Sequence, residues 1–563
     1  MARPPEFSFR TRRGNFERLA NEKFDLLIIG GGITGAGIAR DAALRGLSVA
    51  LVERKDFAAG TSSRSSKLIH GGLRYLQQGD VSLVMEAANE RRVLRRLAPY
   101  LARPIKVIVP VHGRSGYATL AAGLWTFDRM ARVLKDERNQ MLGRDETLAL
   151  EPHLKAEAVY GAGVYYECLT DDSRLVMANI RSAAALGAVA VNYARVTSFL
   201  SEGSRLTAAV VHDSISGTAF PVRAKVIVNA AGPWVDAVRA LQGAEEQAKL
   251  HLTKGIHLVV PRDRLPVTHI VIMNARDKRS VFATPRGDIV YLGTTDTDYE
   301  GRYDDPPVTT DDALYLLEAA NSYFNVDPLT LNDVVGAWAG LRPLLHQEGK
   351  KPAEISRKDE ILVGPTGLIS IAGGKLTTYR RMAERIVTMV MSRLQDAGVQ
   401  APPKRGDSDT DRLCGGEMDN DVEGFAATLK SRWPKVPADI IDRLVGLCGS
   451  DSEHLVEGMA ADPTLAHRCA PDSPVSRGEV LYAVREEMAL TLEDYLERRA
   501  RLFLWDVQNG LNVAQEVAQI MGQMLDWDRK RIDAEVAAYR RHVDDVKGFC
   551  PPIEATPQRA ANA

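Results

Sequence analysis

Short apolar runs alternate with helical segments along residues 23–400. The clearest run is FDLLII at 24–29, which precedes three glycines, an alanine-rich segment at 33–44 and a second apolar run at 48–53. Apolar runs of this length are typical of strands buried on both faces, and helices connect such strands. The pattern therefore predicts an α/β fold built on a parallel sheet.

The pattern changes at a polar, proline-containing linker over residues 401–412. Residues 413–548 show helical periodicity, with predicted helices in segments such as VEGFAATLKSRW, ADIIDRLVGLC and TLEDYLERRARLFLW. This part is predicted to be a separate all-α domain. We expect residues 1–22 to be a flexible arm and residues 549–563 to be a disordered tail.

The glycines after the first apolar run stand in GxGxxG register as Gly30, Gly32 and Gly35. The first allows a tight turn, the second lets the backbone approach a pyrophosphate, and the third lets helix and strand pack closely. Glu53, at the end of the second apolar run, is placed to accept hydrogen bonds from ribose hydroxyls and to repel a 2′-phosphate. Strand, turn, helix, strand and acid in this order predict a site for an ADP-containing dinucleotide.

Two later glycine elements favour FAD over NAD. Each follows an apolar run, in VIVNAAGPW at 226–234 and in GLISIAGGKLTTYR at 367–380. The second creates another helix N-terminus, which suits the polar edge of a flavin, where negative charge collects on reduction. Taken singly, each is equally an ordinary connecting turn. The predicted cofactor contacts of these elements are Gly232, Trp234, Gly373, Gly374, Leu376 and Thr377.

The composition narrows the class of protein. A net charge of −1 on 563 residues provides no general field for nucleic acid, and we expect no nucleic-acid partner. The five cysteines form no CxxC pair, which indicates a reducing compartment and no zinc site. An acidic segment at 419–430 imitates a calcium loop but has Lys430 where a glutamate is required, so no metal is expected.

Six segments, taken in order, carry a family resemblance. They are GGGITGAGIARDAALRGLSVALVE, TSSRSSKLIHGGLRYL, VNAAGPW, YLGTTDTDY, GLRPLL and AGGKLTTYR. Together they resemble the FAD-dependent glycerol-3-phosphate dehydrogenases, which are aerobic, quinone-reducing flavoproteins. The resemblance runs from about residue 23 through residue 545. SSKLIHGGLRYL and GGKLTTYR are specific to this family, whereas GxGxxG is shared by many others.

The resemblance implies a glutathione-reductase-like FAD domain of the D-amino-acid-oxidase type, interleaved with an α+β substrate domain and followed by the all-α domain. The FAD domain is expected over about 23–90, 165–245 and 355–398. The substrate domain is expected over about 91–164 and 246–354.

In that family the loop containing SSRSSKLIHGGLRYL runs past the flavin into the substrate cavity. A phosphate bound away from bulk water needs several cationic donors, and arginine meets its oxygens in a bidentate manner. The resemblance makes Arg74 a phosphate ligand and Tyr75 a hydroxyl donor. His70 is either catalytic or packed beside the flavin. The loop residues expected along the cofactor are Ser62, Ser63 and Lys67.

The resemblance also implies that His257, Arg342 and Lys375 converge with Arg74 on sn-glycerol 3-phosphate. The reaction would transfer a hydride from C2 to flavin N5 while a base removes the C2 hydroxyl proton, which yields dihydroxyacetone phosphate. His257, as a neutral histidine near its ordinary pKa, is the first choice for the base. Lys375 or Arg342 would then polarise the hydroxyl, and the sequence does not decide between these roles.

A membrane quinone is the electron acceptor that the resemblance implies. The protein would then be cytoplasmic and attached peripherally to the inner face of the cell membrane; the resemblance leaves a homodimer open. Related oxidases that use oxygen carry a long insertion between GLRPL and GGKLTTYR, whereas Arg342 and Lys375 here are only 33 residues apart. The alternatives are a glycerol-3-phosphate oxidase, an oxidase of an amine or amino acid, and a flavin-binding sensor without turnover.

One segment has the pattern of a helix lying in a membrane interface. In 116–136, one helical face carries Leu120, Leu124 and Phe127 and is flanked by basic residues, while charges forbid a transmembrane span. The pattern equally fits a helix whose apolar face packs on the protein's own core.

Overall fold

The structure is a computed structural model, and it describes residues 6–72, 81–131, 133, 137–243, 249–345 and 359–550. Arg74 and Tyr75, two predicted substrate contacts, lie outside these residues. The strands are β1 (Lys23–Ile29), β2 (Val49–Val52), β3 (Leu68–Ile69), β4 (Arg103–Val111), β5 (Gln140–Gly143), β6 (Gly161–Leu169), β7 (Val189–Val191), β8 (Ala194–Glu202), β9 (Arg205–Asp213), β10 (Ala219–Asn229), β11 (Leu250–Pro261), β12 (Ile270–Asn274), β13 (Ser280–Arg286), β14 (Ile289–Gly293), β15 (Thr297–Asp298), β16 (Gly336–Leu345), β17 (Glu360–Val363) and β18 (Ile369–Ala372).

The helices are α1 (Phe9–Asn21), α2 (Ile33–Leu44), α3 (Val81–Leu97), α4 (Arg114–Ala131), α5 (Arg144–Leu150), α6 (Asp172–Ala185), α7 (Val235–Ala240), α8 (Thr310–Tyr323), α9 (Tyr379–Asp396), α10 (Val422–Arg432), α11 (Ala438–Cys448), α12 (Ser452–Ala461), α13 (Arg477–Glu486), α14 (Leu502–Trp505), α15 (Ala514–Leu525) and α16 (Arg529–Val546). Short tight turns of helix also occur at Thr61–Ser63 and Leu376–Thr378.

The first sheet has the strand order β17-β18-β10-β1-β2-β7, with the β8–β9 hairpin joined to β10. Strand β1 is parallel to both β2 and β10, and β10 is parallel to β18. Leu26 and Ile28 of β1 pack into one apolar cluster with α2, α6 and α9, whereas Leu27 and Ile29 pack into a second cluster on the opposite face. Both faces are therefore covered, which explains why the strand is apolar at every position from 26 to 29.

The N-terminal segment is helical, which differs from the predicted flexible arm. Instead of a flexible arm, residues 9–21 form helix α1, whose Leu19 is buried in the second cluster. The buried Arg12 donates to Asp213 Oδ1 at 2.7 Å and to the carbonyl of Asn192 at 2.9 Å. A helix over the outer face was missed because its apolar positions are few and its partners lie about 180 residues away.

The second sheet has the order β15-β11-β14-β13-β12-β4-β6-β3, with β16 paired to β11 and β5 paired to β6. Strands β11 and β16 are antiparallel over ten residue pairs, which places Arg342 opposite Thr253 and Trp338 opposite His257. Two of the predicted substrate residues therefore lie on adjacent strands. Helix α8 packs on this sheet through Leu316 and neighbouring apolar residues.

The C-terminal domain is helical, and it packs against the domain of the first sheet and against the domain of the second sheet. One of its apolar clusters includes Tyr291 and Trp338 of the second sheet, and another includes Leu175 of α6. The predicted helix TLEDYLERRARLFLW is interrupted: residues 494–499 form a wide helical turn, and Arg501 adopts a left-handed backbone with φ of 63° before α14 begins. Buried ion pairs to the other domains hold this segment, as described below.

Helix α4 resolves the question of the apolar face at 116–136. Leu124 and Phe127 are buried, and Leu120 and Leu124 lie against Gly163 of β6. The apolar face therefore packs on the protein's own sheet rather than on a membrane. Within the described ranges, no helix combines the length and apolarity that a bilayer crossing requires.

Candidate flavin and substrate site

The candidate site lies along the carboxyl edge of the first sheet. Because β1, β2, β10 and β18 are parallel, the segments that follow them meet at one edge, where open α/β sheets bind their ligands. A cavity of about 380 Å³ occupies this edge. The predicted contacts that line it are Gly30, Gly32, Glu53, Ser62, Gly232, Trp234, Gly373, Gly374, Lys375 and Leu376.

The turn after β1 requires its glycines for the reasons that the motif suggests. Gly30 has a φ of 114°, and a Cβ atom there would lie 2.6 Å from the carbonyl oxygen of Ala230. A Cβ atom on Gly35 would lie 1.9 Å from the carbonyl oxygen of Gly30. Gly32 faces the cavity, and the amide of Ile33 at the start of α2 donates to Ser62 Oγ at 2.9 Å. The N-terminus of α2 and the backbone of Gly32, which has no side chain, therefore face the space that a pyrophosphate needs.

Glu53 is held at the end of β2 by backbone donors. Its Oε2 accepts a hydrogen bond from the amide of Gly31 at 2.6 Å, and its Oε1 accepts one from the amide of Lys55 at 2.8 Å. Burial raises the pKa of Glu53, which these two hydrogen bonds oppose. Each carboxylate oxygen has a further lone pair, so the side chain still has acceptors for ribose hydroxyls in the cavity.

A charged pair that is not among the predicted site residues lies beside the cavity. The guanidinium of Arg54 lies 4.7 Å from the centre of the Trp234 ring and forms an ion pair with Asp304, and all three residues line the cavity. Arg54 directly follows Glu53, so its position at a strand end is a usable signal. Asp304 comes from a loop about 250 residues away, and no local pattern points to it.

The turn after β18 brings a lysine to the cavity. Gly373 and Gly374 have φ values of 76° and 92°, and a Cβ atom on Gly374 would lie 2.3 Å from Met382 Cε. Lys375 lines the cavity next to these glycines, and α9 begins after the tight turn that follows. Thr377, another predicted cofactor contact, is buried and does not belong to the cavity lining.

Lys67 and Ser63 lie away from the cavity. Lys67, expected along the cofactor, is fully buried, and its Nζ donates to Asp172 Oδ1 at 2.8 Å and to the carbonyl of Ser63 at 2.6 Å. A buried ammonium group requires an anionic partner, and this need explains the position of the side chain. Lys67 therefore stabilises the loop from the protein interior, on the side away from the cavity.

His257 lies in the second sheet with its ring stacked on Trp338 at 4.6 Å between centroids. Its Nε2 is 3.0 Å from Ser66 Oγ, and Gly293 leaves room for the ring, since a Cβ atom there would lie 2.0 Å from His257 Cδ2. Burial lowers the pKa of His257 well below its usual range, and the charges of Arg342 and Lys67 lower it further. The histidine is therefore neutral near neutral pH, as predicted, but its pKa lies below the ordinary value that the prediction gave it.

Arg342 is oriented by several acceptors. Its Nη1 donates to Asp296 Oδ1 at 3.1 Å, and its Nη2 donates to Thr294 Oγ1 at 3.0 Å and to the carbonyl of Thr295 at 3.1 Å. The next residue, Pro343, lines the cavity, so the arginine lies at the boundary between cavity and second sheet. A guanidinium held in this way is preorganised to bind a ligand anion.

His70 is the remaining predicted residue within the described ranges. Its ring packs edge-on against Phe282 of β13, with 6.0 Å between the ring centres. It does not line the cavity. This contact with the second sheet decides neither for the catalytic role nor for packing beside the flavin, and both stay predictions.

The dinucleotide-binding turn after β1 and the glycine–lysine turn after β18 lie at the same carboxyl edge of the first sheet. This arrangement is that of an FAD-dependent oxidoreductase. A model of the FAD-dependent oxidoreductase family matches residues 25–380, and the C-terminal domain of alpha-glycerophosphate oxidase matches residues 407–532. An aerobic glycerol-3-phosphate dehydrogenase of Staphylococcus aureus (strain USA300) is 40% identical over 540 residues, covering 94% of this chain and 95% of that protein. The chain belongs to the FAD-dependent glycerol-3-phosphate dehydrogenase family.

Solved structures agree with this assignment. The glycerol-3-phosphate dehydrogenase from Bacillus halodurans complexed with FAD is 33% identical, with a TM-score of 0.81 over 97% of this chain and 100% of that chain. L-alpha-glycerophosphate oxidase from Mycoplasma pneumoniae is 20% identical, with a TM-score of 0.54 over 70% of this chain and 99% of that one, which shows a shared fold alone. The predicted fold class and the FAD cofactor are confirmed.

Proposed function

We propose that the protein oxidises sn-glycerol 3-phosphate to dihydroxyacetone phosphate and passes the electrons to a membrane quinone. The observation that carries the proposal is the meeting of two sheets at one cavity: Lys375 of the first sheet and Pro343, next to Arg342, of the second. Two cationic side chains from separate domains beside an FAD cavity suit a small anionic substrate. The names of the similar proteins point to glycerol 3-phosphate as that substrate.

Each residue has a distinct task in this proposal. Arg342, held by Asp296, binds the phosphate through its guanidinium group, and Lys375 adds a second positive charge near the substrate. His257 is the neutral acceptor of the C2 hydroxyl proton, and its contact with Ser66 Oγ orients the ring. FAD, when bound, supplies the hydride acceptor. Lys375 and the helical turn that begins at Leu376 would supply positive charge near the flavin edge where negative charge develops on reduction.

The choice between quinone and oxygen rests on chain length between two site residues. Only 33 positions separate Arg342 from Lys375, too few for the long insertion of the oxygen-using relatives. A quinone dissolved in the bilayer requires contact with the membrane surface. We therefore propose a cytoplasmic enzyme attached peripherally to the inner face of the cell membrane.

The surface of α3 and α4 is our proposed membrane contact. These helices pack against each other through Phe127 and Val84, and α3 exposes Val81 and Met85 while α4 exposes Trp125. Trp125 is 57% exposed and carries the guanidinium of Arg129 at 4.3 Å from its ring. An exposed tryptophan beside an arginine suits the headgroup region of an anionic membrane.

We expect Trp125→Glu to reduce binding to phosphatidylglycerol-containing vesicles by about tenfold, since it removes an aromatic anchor and adds a repelled charge. The measurement is cosedimentation of the purified protein with the vesicles. Leu314→Glu is the matched control, because Leu314 is a comparably exposed apolar residue on α8, away from α3 and α4. Equal binding by the two variants would remove α4 from the contact surface.

Anaerobic titration of the FAD-loaded protein with glycerol 3-phosphate tests the reaction. We expect the flavin absorbance to bleach on addition of glycerol 3-phosphate and to return faster with a soluble quinone than with oxygen. Bleaching by glycine or sarcosine instead would indicate an amine or amino acid oxidase. Faster return with oxygen would indicate an oxidase, and no bleaching at full FAD loading would favour a sensor.

A further inference from the structure

The loop of residues 56–69 connects the FAD cavity to the second sheet. Ser62 lines the cavity. At Ser66, the carbonyl accepts a hydrogen bond from Tyr291 Oη at 3.1 Å, and the hydroxyl contacts His257 Nε2 at 3.0 Å. The position of this loop therefore sets the distance between the FAD cavity and the proposed base.

A buried carboxylate, Asp172 at the start of α6, holds the C-terminal part of the loop. Its Oδ2 accepts hydrogen bonds from the amide and the hydroxyl of Ser65 at 3.0 and 2.8 Å. Both of its oxygens accept from Lys67 Nζ, at 2.8 and 2.9 Å. Both side chains are fully buried, so loss of either charge leaves the other unpaired in the interior.

The C-terminal domain completes this anchor with Arg501. Its Nη2 donates to Asp172 Oδ1 at 3.3 Å, and its Nε donates to Asp171 Oδ2 at 2.9 Å. Its Nη1 donates to the carbonyl of Glu497 at 2.9 Å, within its own domain. Arg501 is 1% exposed, and its guanidinium thus links the helical domain to the carboxylate that holds the loop.

Two arginines next to Arg501 in the sequence, Arg498 and Arg499, hold the N-terminal end of the loop at Asp56. Asp56 Oδ2 accepts from Arg498 Nε at 2.7 Å and from Arg499 Nη1 at 2.8 Å. Its Oδ1 accepts from Arg499 Nη2 at 2.8 Å. Residues 494–501 therefore contact both ends of the loop through two separate clusters of buried ion pairs.

We propose that residues 494–501 position the loop for substrate binding, with Arg501 and Asp172 as positioning residues that act through Ser65 and Lys67. The C-terminal domain thereby controls the affinity for substrate without touching it. The kinetic part of this inference rests on the function proposed above. The structural part does not, because it concerns the order of the loop in the FAD-loaded protein.

Arg501→Gln is the decisive variant, measured in the full-length, FAD-loaded protein. We expect its KM for glycerol 3-phosphate to rise by roughly 10²-fold with FAD retained. Displacing the loop would also displace His257, a predicted substrate residue that Ser66 contacts, and a misplacement of about 1 Å can have an effect of this size. We also expect faster amide hydrogen exchange in the peptide covering residues 56–69. The free-energy effect of the double variant Asp172→Asn/Arg501→Gln should be smaller than the sum of the two single effects, because the two residues contact each other.

Arg181→Gln is the matched control. Arg181 is also buried, and it joins the same helix α6 to the C-terminal domain through Asp451 at 2.5 Å, without a hydrogen bond to the loop. It should lower the thermal midpoint while leaving KM and loop exchange unchanged. If Arg501→Gln and Arg181→Gln have the same KM and the same loop exchange, Arg501 is merely structural and the proposal is wrong.

A milder variant keeps the test decisive if Arg501→Gln does not fold. Arg501→Lys retains the charge but cannot bridge Asp171 and Asp172 at once, so intermediate values of KM and exchange are expected; wild-type values would contradict the proposal. If the wild-type protein does not oxidise glycerol 3-phosphate, the proposed function fails. The exchange comparison with Arg181→Gln then still decides whether the C-terminal segment orders the loop.

Discussion

Gly32→Val is expected to yield a folded protein that retains little FAD. The backbone at this position faces the cavity, and even a Cβ atom there would lie 3.1 Å from Ser62 Oγ, so the two methyl groups of valine project into the space for the pyrophosphate. Forcing extra methyl groups into a packed site costs about 1–3 kcal/mol. We expect the FAD affinity to fall by roughly tenfold or more. The ratio of flavin to protein absorbance after gel filtration measures this loss.

Gly143→Val is the control for this prediction. Gly143 also stands at a helix N-cap, with backbone angles of −69° and 175° against −80° and −175° for Gly32. A Cβ atom there would make only an ordinary contact, at 3.6 Å from Glu146 Oε2, and the residue does not line the cavity. It should keep full FAD. A yellow Gly32→Val protein with the control's FAD content would place the pyrophosphate elsewhere.

Arg342→Ala is expected to have the largest effect on substrate affinity. Truncating one partner of a buried, hydrogen-bonded charge pair costs about 2–5 kcal/mol, which corresponds to a rise in KM of roughly 30-fold to 5,000-fold. FAD content should stay unchanged, since Arg342 itself does not line the FAD cavity. The KM of Arg342→Lys should lie between those of the wild-type protein and Arg342→Ala, because lysine keeps the positive charge but lacks the planar guanidinium that binds in a bidentate manner. Steady-state kinetics with glycerol 3-phosphate and an artificial dye provide the values.

Arg279→Ala separates this effect from a disturbance of the neighbouring loop. Arg279 donates to the carbonyl of Asp296 at 2.7 Å, so it contacts the same residue that holds Arg342, but its side chain is on the surface. Its KM should remain at the wild-type value. Wild-type affinity in Arg342→Ala would remove this arginine from the proposed phosphate site.

Local features of the fold could be predicted because they depend on neighbours in sequence. The predicted helix over 33–44 coincides with α2, and the predicted turn at Gly30 has the positive φ that only glycine adopts freely. The turn at Gly373–Gly374 was predicted for the same reason. The flexible arm was wrong because the stability of α1 comes from tertiary contacts, which its own composition does not reveal.

The individual roles of site residues were harder to predict. Lys67 looked like a cofactor contact because it is a cation in a motif, but its partner Asp172 is 105 positions away and draws it into the interior. Arg54 and Asp304 were missed for a similar reason. The motif containing Lys67 was recognisable, but recognition of a motif does not reveal the direction of each side chain.

The order of apolar runs and glycines was enough to specify a parallel sheet, a dinucleotide turn and a helical domain, since these follow from backbone geometry and periodic burial. Which charges would meet was settled only by folding, because a buried ion needs an opposite charge wherever the chain provides one. Here Arg498, Arg499 and Arg501 each have a carboxylate partner more than 300 positions earlier in the sequence. Such pairings leave no periodic trace, because each depends on the three-dimensional arrangement of whole domains.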